Sequence, residues 1–130
     1  MLASQRAIKK EFEAAGDKLE FLSVLRRFLH SLSPQASQPV DLVQWIPVSK
    51  VRANDYNPNA VAVNEMRLLY SSIEHDGYTQ PVVAVYDEAQ DVYTIVDGFH
   101  RFRVMTLYPD ILARCNGRLP VVVLEGKSAN

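Results

Sequence analysis

Several features that mark specialised classes of protein are scarce in this 130-residue chain. The single cysteine, Cys115, excludes an internal disulfide, so a reducing, cytoplasmic location is expected. No apolar run approaches the roughly twenty residues that cross a bilayer, and the early charged residues at 9–13 argue against a signal peptide, so we expect no membrane association. The formal net charge of -1 argues against a strongly basic nucleic-acid-binding protein.

What the chain does contain is an ordinary globular composition, with 48% hydrophobic residues, enough for one core but not two. Apolar periodicity predicts a small α+β fold, a mixed sheet with packed helices, preceded by a helical extension. We assign residues 1–38 to a helical arm and linker, 39–126 to the main domain and 127–130 to a tail. In the main domain the pattern predicts a short broken strand at 42–46 and 48–51, interrupted by Pro47. It further predicts strands at 82–86, 92–96 and 119–124, and helices at 64–76, 99–108 and 109–116.

The arm is predicted to be helical up to Leu32, in two pieces that separate around residues 15–17. Its second piece carries one apolar stripe, with leucines and Phe28 at helical spacing. We expect this stripe to dock on the core. The alternative is a surface that dimerises or binds a partner protein.

The segment 92–104 is the most informative part of the chain. A β-branched and aromatic strand ends at Asp97, turns through Gly98 and continues with the spacing of a helix. A helix that begins in this way leaves its first amide N–H groups without partners, and these groups and the helix dipole suit a phosphate. Asp97 is placed either to cap the helix or to face a metal bound to that phosphate.

Three cationic or polar side chains lie at the start of this predicted helix. Arg101 is the strongest phosphate candidate because a guanidinium matches phosphate oxygens. His100 is either a hydrogen-bond donor to the phosphate or a surface imidazole. Arg103 faces another side of the helix, where it either contacts the phosphate or is a solvated charge or the partner of an acidic residue.

The motif Asp-Gly-Phe-His-Arg at residues 97–101 resembles the turn shared by the ParB N-terminal domain and sulfiredoxin. Residues 54–59, rich in Asn and Pro, resemble the first box of that superfamily, and residues 72–83 resemble its helix, glycine, Gln-Pro and strand. The three stretches occur in the family's order, over roughly residues 43–124. Within the superfamily the chain looks closest to the IbrB-like branch, described as co-activators of prophage gene expression.

This resemblance implies a ParB/sulfiredoxin-like fold that binds a nucleotide, ATP or CTP with Mg²⁺, at the Gly98 turn. It implies a regulatory role, with DNA or a transcription-related protein as partner and a homodimer as a further alternative. Asp97 becomes a candidate Mg²⁺ contact, and Tyr78 is expected either to stack on a base or to pack over the loop. The residues expected to bind the nucleotide or its phosphates are Gly98, Phe99, His100, Arg101, Arg103, Asn54, Asn57 and Gln80. From the residues alone, Asn54 and Asn57 could instead be plain turn residues, and Gln80 could be a capping side chain at the sheet edge.

The chain also departs from the family's patterns. Phe99 occupies the position of the sulfiredoxin catalytic cysteine, and a phenyl ring is no nucleophile, so sulfinic acid reduction by that route is excluded. As an enzyme, the protein would be a nucleotide-dependent small-molecule kinase, an NTPase or a ParB-like nuclease, with Asp97 and Asp55 as its acidic residues. As a pure interaction module, it would act through its N-terminal arm.

Overall fold

Two helices make up the N-terminal unit, Met1–Leu42, in a computed structural model that describes residues 1–53 and 63–125. They are α1 (Ala3–Ala14) and α2 (Lys18–Leu32), which confirms the predicted two-piece helical arm. Asp17 caps α2 by accepting a hydrogen bond from the amide of Glu20 at 3.0 Å. The expected docking of the α2 stripe onto the core stays a prediction.

A hydrogen bond links the last turn of α2 to the 3₁₀ turn at Pro39–Asp41 in the same unit. Nδ1 of His30 in the helix lies 2.7 Å from Oδ2 of Asp41 in the turn. The hydrogen bond with His30 lowers the pKa of the Asp41 carboxyl. Since Ser33 also donates to Asp41 at 3.0 Å, this aspartate ties the linker to the last turn of the helix.

The second unit, Val43–Asn130, is built on a five-stranded sheet in the order β1-β5-β3-β4-β2. The β1–β5 and β3–β4 pairs are antiparallel, whereas β3–β5 and β2–β4 are parallel. The sheet is therefore mixed, and together with its helices it confirms the predicted α+β fold. Its elements are β1 (Val43–Pro47), β2 (Val51–Arg52), α3 (Val63–Asp76), β3 (Val82–Asp87), β4 (Val92–Asp97), α4 (Phe99–Leu107), α5 (Pro109–Arg114) and β5 (Arg118–Leu124).

The core lies between the sheet and helices α3, α4 and α5, and apolar side chains fill it. Helix α3 contributes the buried side chains of Met66 and Ile73 to it, and the middle of the sheet contributes those of Val82, Ala84 and Ile95. This core fixes α4 and β3 against each other, and the candidate site is formed where they meet. The largest fully buried side chains are Met105, Ile111, Leu119, Val82, Val104 and Val121.

The strand predicted at 48–51 is wrong in most of its length. Residues Val48–Lys50 form a 3₁₀ turn, and only Val51–Arg52 is strand. The reason is the sheet topology: β1 pairs with β5 as far as Pro47, and Val51 then pairs with Tyr93 of β4, toward the other edge of the sheet. The chain must turn between these positions, so two valines that suit a strand cannot form a continuous one.

The helix predicted at 109–116 ends two residues early. Asn116 and Gly117 both have positive φ, of 56° and 72°, and left-handed residues terminate an α-helix. The amide of Gly117 donates to the carbonyl of Leu112 at 2.9 Å, which closes the C-terminal turn. Across the described ranges, no helix has the length and apolar character needed to span a membrane.

Candidate functional site

The turn between β4 and α4 has the geometry that the sequence predicts. Asp97 is the last residue of β4, Gly98 is the N-cap with a left-handed φ of 94°, and Phe99 begins α4. The amide of Phe102 donates to the Gly98 carbonyl at 3.2 Å, the first hydrogen bond of the helix. The three amides of residues 99–101 therefore have no partner inside α4. No other residue of the described ranges accepts a hydrogen bond from them, so within this part of the chain they can donate to an anion.

Gly98 is required by space as well as by conformation. A Cβ atom at this position would lie 2.8 Å from Nη1 of Arg101 and 3.2 Å from Cα of Val82. The first contact shows that the Arg101 side chain folds back over the turn, and the second shows that the turn packs directly on β3. Because residue 98 has no side chain, the Arg101 guanidinium can lie beside the N-terminus of α4.

Arg101 is held by the loop that joins α3 to β3. Its Nη2 donates a short hydrogen bond to Oε1 of Gln80. The Tyr78 hydroxyl donates to the backbone carbonyl of Arg101 at 2.8 Å. Burial raises the pKa of the Tyr78 phenol, so it stays a donor at neutral pH. This half-buried ring packs against the core and also lines a cleft, so base stacking by Tyr78 stays a prediction.

A cleft of about 240 Å³ opens beside Arg101. It lies between the C-terminal half of α3 and the loop of residues 77–80. Both polar and apolar groups line it, which suits a ligand that carries hydroxyls as well as an apolar ring. The lining residues are Leu69, Ser72, Ile73, Gly77, Tyr78, Thr79, Gln80 and Arg101.

The other predicted residues of the turn differ in how they are placed. His100 is exposed, with its ring 5.8 Å from that of Phe99 in an edge arrangement. The Phe99 ring packs against the core, so this residue offers the site its amide rather than its side chain. Arg103 is partly exposed, and its phosphate contact stays a prediction.

Asp97 is exposed at the end of β4, opposite Val83 in the strand register. No hydrogen bond joins its carboxylate to another of the residues at 1–53 or 63–125, so the expected helix-capping contact is not formed there. The alternative, a carboxylate that faces a metal, stays a prediction. Among those same residues, no group of three or more His, Cys, Asp or Glu side chains is placed to hold a metal ion.

Three residues expected from the first box, Asn54, Asp55 and Asn57, lie outside the described residues. Of the rest, the structure brings Gln80, Arg101 and Gly98 together. Sequence reasoning missed Ser72 and Thr79, which line the cleft. Both residues lie in the stretch 72–83 that resembles the family, and Thr79 directly precedes Gln80, so these two signals could have indicated them.

Comparisons with known proteins identify the family and the fold of this domain. The ParB N-terminal domain family matches residues 33–116. A relative from Escherichia coli (strain K12), the uncharacterized protein YbdM, is 42% identical over 110 residues, which cover 85% of this chain and 52% of the relative. The chain therefore spans about half the length of the curated relative that it matches.

Two solved structures share the fold at low sequence identity. The C-terminally truncated chromosome-partitioning protein ParB from Caulobacter crescentus, complexed with CTP-γ-S, is 21% identical with a TM-score of 0.53, covering 67% of this chain and 46% of that one. Sulfiredoxin from Arabidopsis thaliana is 16% identical with a TM-score of 0.52, covering 65% and 86%. These likenesses show a ParB/sulfiredoxin-like fold, and the family match over residues 33–116 shows that the chain belongs to the ParB N-terminal domain family.

Proposed function

We propose that this domain binds a nucleotide through its phosphates at the Gly98 turn. The observation that carries the proposal is the position of the Arg101 guanidinium, which lies over Gly98 beside the open amides of α4. A fixed positive charge and unpaired N–H donors at one helix N-terminus are the two elements that bind phosphate in many nucleotide sites.

Each group of the turn has a role in this proposal. Arg101 supplies charge and directed donors, the amides of residues 99–101 supply further donors, and His100 adds an exposed imidazole at the rim. Arg103, Asn54 and Asn57 are proposed as additional contacts. The structure of the Caulobacter ParB with CTP-γ-S supports a nucleotide as the class of ligand, with CTP or ATP as the candidates.

The cleft beside Arg101 is proposed to hold another part of the nucleotide. Its volume of about 240 Å³ lies below the roughly 300–1,000 Å³ of pockets that enclose a whole drug-sized ligand. It therefore suits a base or a ribose while the phosphates lie outside it at the turn. The hydroxyls of Ser72 and Thr79 offer hydrogen bonds there.

Mg²⁺ is proposed to accompany the nucleotide, and the residues fit a weakly held ion. The metal usually keeps several waters and is bound by one or two carboxylates together with substrate phosphates. Asp97 supplies one exposed carboxylate next to the turn, so the nucleotide phosphates would provide most of the affinity for the ion. The ion would supply charge neutralisation to the phosphate oxygens.

The biological role that we propose is regulatory, of the IbrB-like kind, with DNA or a transcription-related protein as the partner. Nucleotide binding would then control an interaction rather than drive a chemical step. Proposed partners include a second copy of the chain.

Thermal unfolding in the presence of ATP, CTP, GTP and ADP, each with and without Mg²⁺, tests the proposal. A ligand that binds only the native state raises the melting temperature by mass action. We expect one nucleotide to raise it in the wild type and not in Arg101→Ala. The absence of any rise at millimolar concentrations of all four would contradict the proposal.

A further inference from the structure

Arg101 is held at both of its ends by one short loop. The guanidinium donates to Gln80 and the backbone carbonyl accepts from Tyr78, two residues that lie in the same stretch between α3 and β3. Contacts this distant in sequence are not required to form α4. They fix where one side chain of α4 points.

We propose that Gln80 and Tyr78 are positioning residues, which hold Arg101 over the Gly98 turn before a phosphate arrives and do not bind the phosphate themselves. This inference rests on the proposed nucleotide-binding function and specifies how its main cation is prepared. It replaces the expectation that Gln80 contacts the phosphates directly, although both residues also line the cleft beside Arg101.

The guanidinium geometry supports this role for Gln80. Nη2 donates to the Gln80 carbonyl oxygen, while Nη1 lies close to Gly98, the N-cap of α4. No other residue at 1–53 or 63–125 accepts from the guanidinium, so its remaining donors can serve phosphate oxygens. An arginine that is already ordered loses less conformational freedom when the ligand binds, and this preorganisation increases affinity.

The chemistry of residue 80 is also appropriate. An amide oxygen accepts a hydrogen bond without neutralising the guanidinium, so the positive charge is kept for the ligand. A carboxylate in the same place would form an ion pair and compete with the phosphate. In Gln80→Glu, therefore, the Arg101 side chain should remain ordered while its affinity for phosphate falls.

Tyr78 acts on the backbone instead of the side chain. Its hydroxyl reaches the carbonyl of Arg101 from a half-buried ring that packs against the core. This hydrogen bond sets the separation between the loop and the first turn of α4, and hence the distance from Gln80 to the guanidinium. Tyr78→Phe removes the hydroxyl alone and keeps the packing.

A double-mutant cycle distinguishes positioning from direct contact. Isothermal titration with the nucleotide that stabilises the wild type would be carried out on the wild type, Gln80→Ala, Arg101→Ala and the double variant. We expect Gln80→Ala to weaken binding about tenfold in the wild-type background. Its effect should be much smaller once Arg101 is absent, because Gln80 acts on the phosphates only through that side chain. Equal weakening in both backgrounds would overturn the inference and leave the proposed function intact.

A matched control exists at the other end of the β3–β4 hairpin. Gln90 accepts a hydrogen bond from Nη1 of Arg52 at 2.6 Å, also at an exposed site. Gln90→Ala removes a similar Gln–Arg contact far from the turn and should leave nucleotide affinity unchanged. A loss equal to that of Gln80→Ala would show a general effect of weakened packing and would overturn the inference.

A measurement that needs no ligand tests the same point. The ¹⁵N relaxation of the Arg101 Nε–H group reports how rigid the guanidinium is. We expect it to become mobile in Gln80→Ala, partly mobile in Tyr78→Phe and rigid in Gln80→Glu. Unchanged relaxation in Gln80→Ala would overturn the positioning role whether or not a nucleotide binds. Failure of the wild type to bind any nucleotide would instead overturn the proposed function, and the inference with it.

Discussion

The Nη1 atom of Arg101 lies 2.8 Å from the position that a Cβ atom of residue 98 would occupy. A turn glycine and a helix arginine are therefore parts of one arrangement, in which the absent side chain of the first makes room for the guanidinium of the second. The same turn leaves three amides of α4 open.

Gly98→Ala is expected to damage both stability and nucleotide binding. An alanine at φ of 94° is strained by about 1–3 kcal/mol, and its methyl group would also displace the Arg101 side chain. Urea unfolding and nucleotide titration measure the two effects. Gly117→Ala is the control, because Gly117 also has positive φ but open space around it. It should lose stability and keep its nucleotide affinity; equal losses of affinity would contradict the arrangement.

Truncation of the buried isoleucine of α5 should destabilise the second unit strongly. Ile111 is 0% exposed, and Ile111→Ala is expected to lower the free energy of unfolding by about 2–5 kcal/mol. Leu107 is 47% exposed, so Leu107→Ala should cost about 1 kcal/mol or less. Denaturant midpoints of the two variants compare them directly. A smaller loss for Ile111→Ala than for Leu107→Ala would contradict the assigned core.

The Tyr86 phenol is expected to titrate near pH 12 because of Asp91. The Tyr86 hydroxyl donates to Asp91 Oδ1 at 2.6 Å, which raises the pKa of Tyr86 to about 12. Since the folded-state value is raised, its contribution to stability is complete below the unfolded pKa of about 10 and is lost as pH rises through about 12. Titration of the Tyr86 ring resonances by NMR measures the value.

Because Asp91 is the main cause of the shift, Asp91→Asn should return the pKa of Tyr86 toward the ordinary tyrosine value of about 10. Asparagine tolerates the positive φ of 54° at this position, so the turn is retained. The Lys50 ammonium, 2.7 Å away, lowers the pKa of Asp91, and the corresponding stability is therefore present above about pH 4 and lost at lower pH. An unshifted Tyr86 titration in Asp91→Asn would show that Asp91 is not the cause.

Removal of Mg²⁺ should separate the role of Asp97 from that of Arg101. If Asp97 contacts the ion, Asp97→Asn should lose the gain in nucleotide affinity that Mg²⁺ confers and should equal the wild type in the presence of EDTA. Titration of both proteins in both buffers gives the comparison. An undiminished Mg²⁺ effect in Asp97→Asn would contradict the proposed contact.

The local elements of the site could be predicted from the sequence because their signals are local. The strand that ends at Asp97, the left-handed Gly98 and the helix from Phe99 follow from residue type and periodicity within a dozen positions. The same reasoning failed at Val48–Lys50, where β-branched residues suit a strand but the sheet topology imposes a turn.

The contacts that prepare the site could not be derived in this way. The pairs Gln80–Arg101 and Tyr78–Arg101 are separated by more than twenty positions, and only the packing of the α3–β3 loop on α4 brings them together. Resemblance to the family indicated that Gln80 lies near the turn. It did not indicate that Gln80 contacts the arginine, which depends on atomic geometry.

Nucleotide binding at the Gly98 turn is the central claim, and isothermal titration of wild type, Arg101→Ala and Arg67→Ala tests it most directly. Arg67 is exposed on α3, and helical spacing places it on the opposite side from the cleft residues Leu69 and Ile73. We predict that wild type and Arg67→Ala bind the same nucleotide with equal affinity and that Arg101→Ala binds it at least tenfold more weakly, about 1.4 kcal/mol. Equal binding by all three proteins, or none by the wild type, would contradict the account.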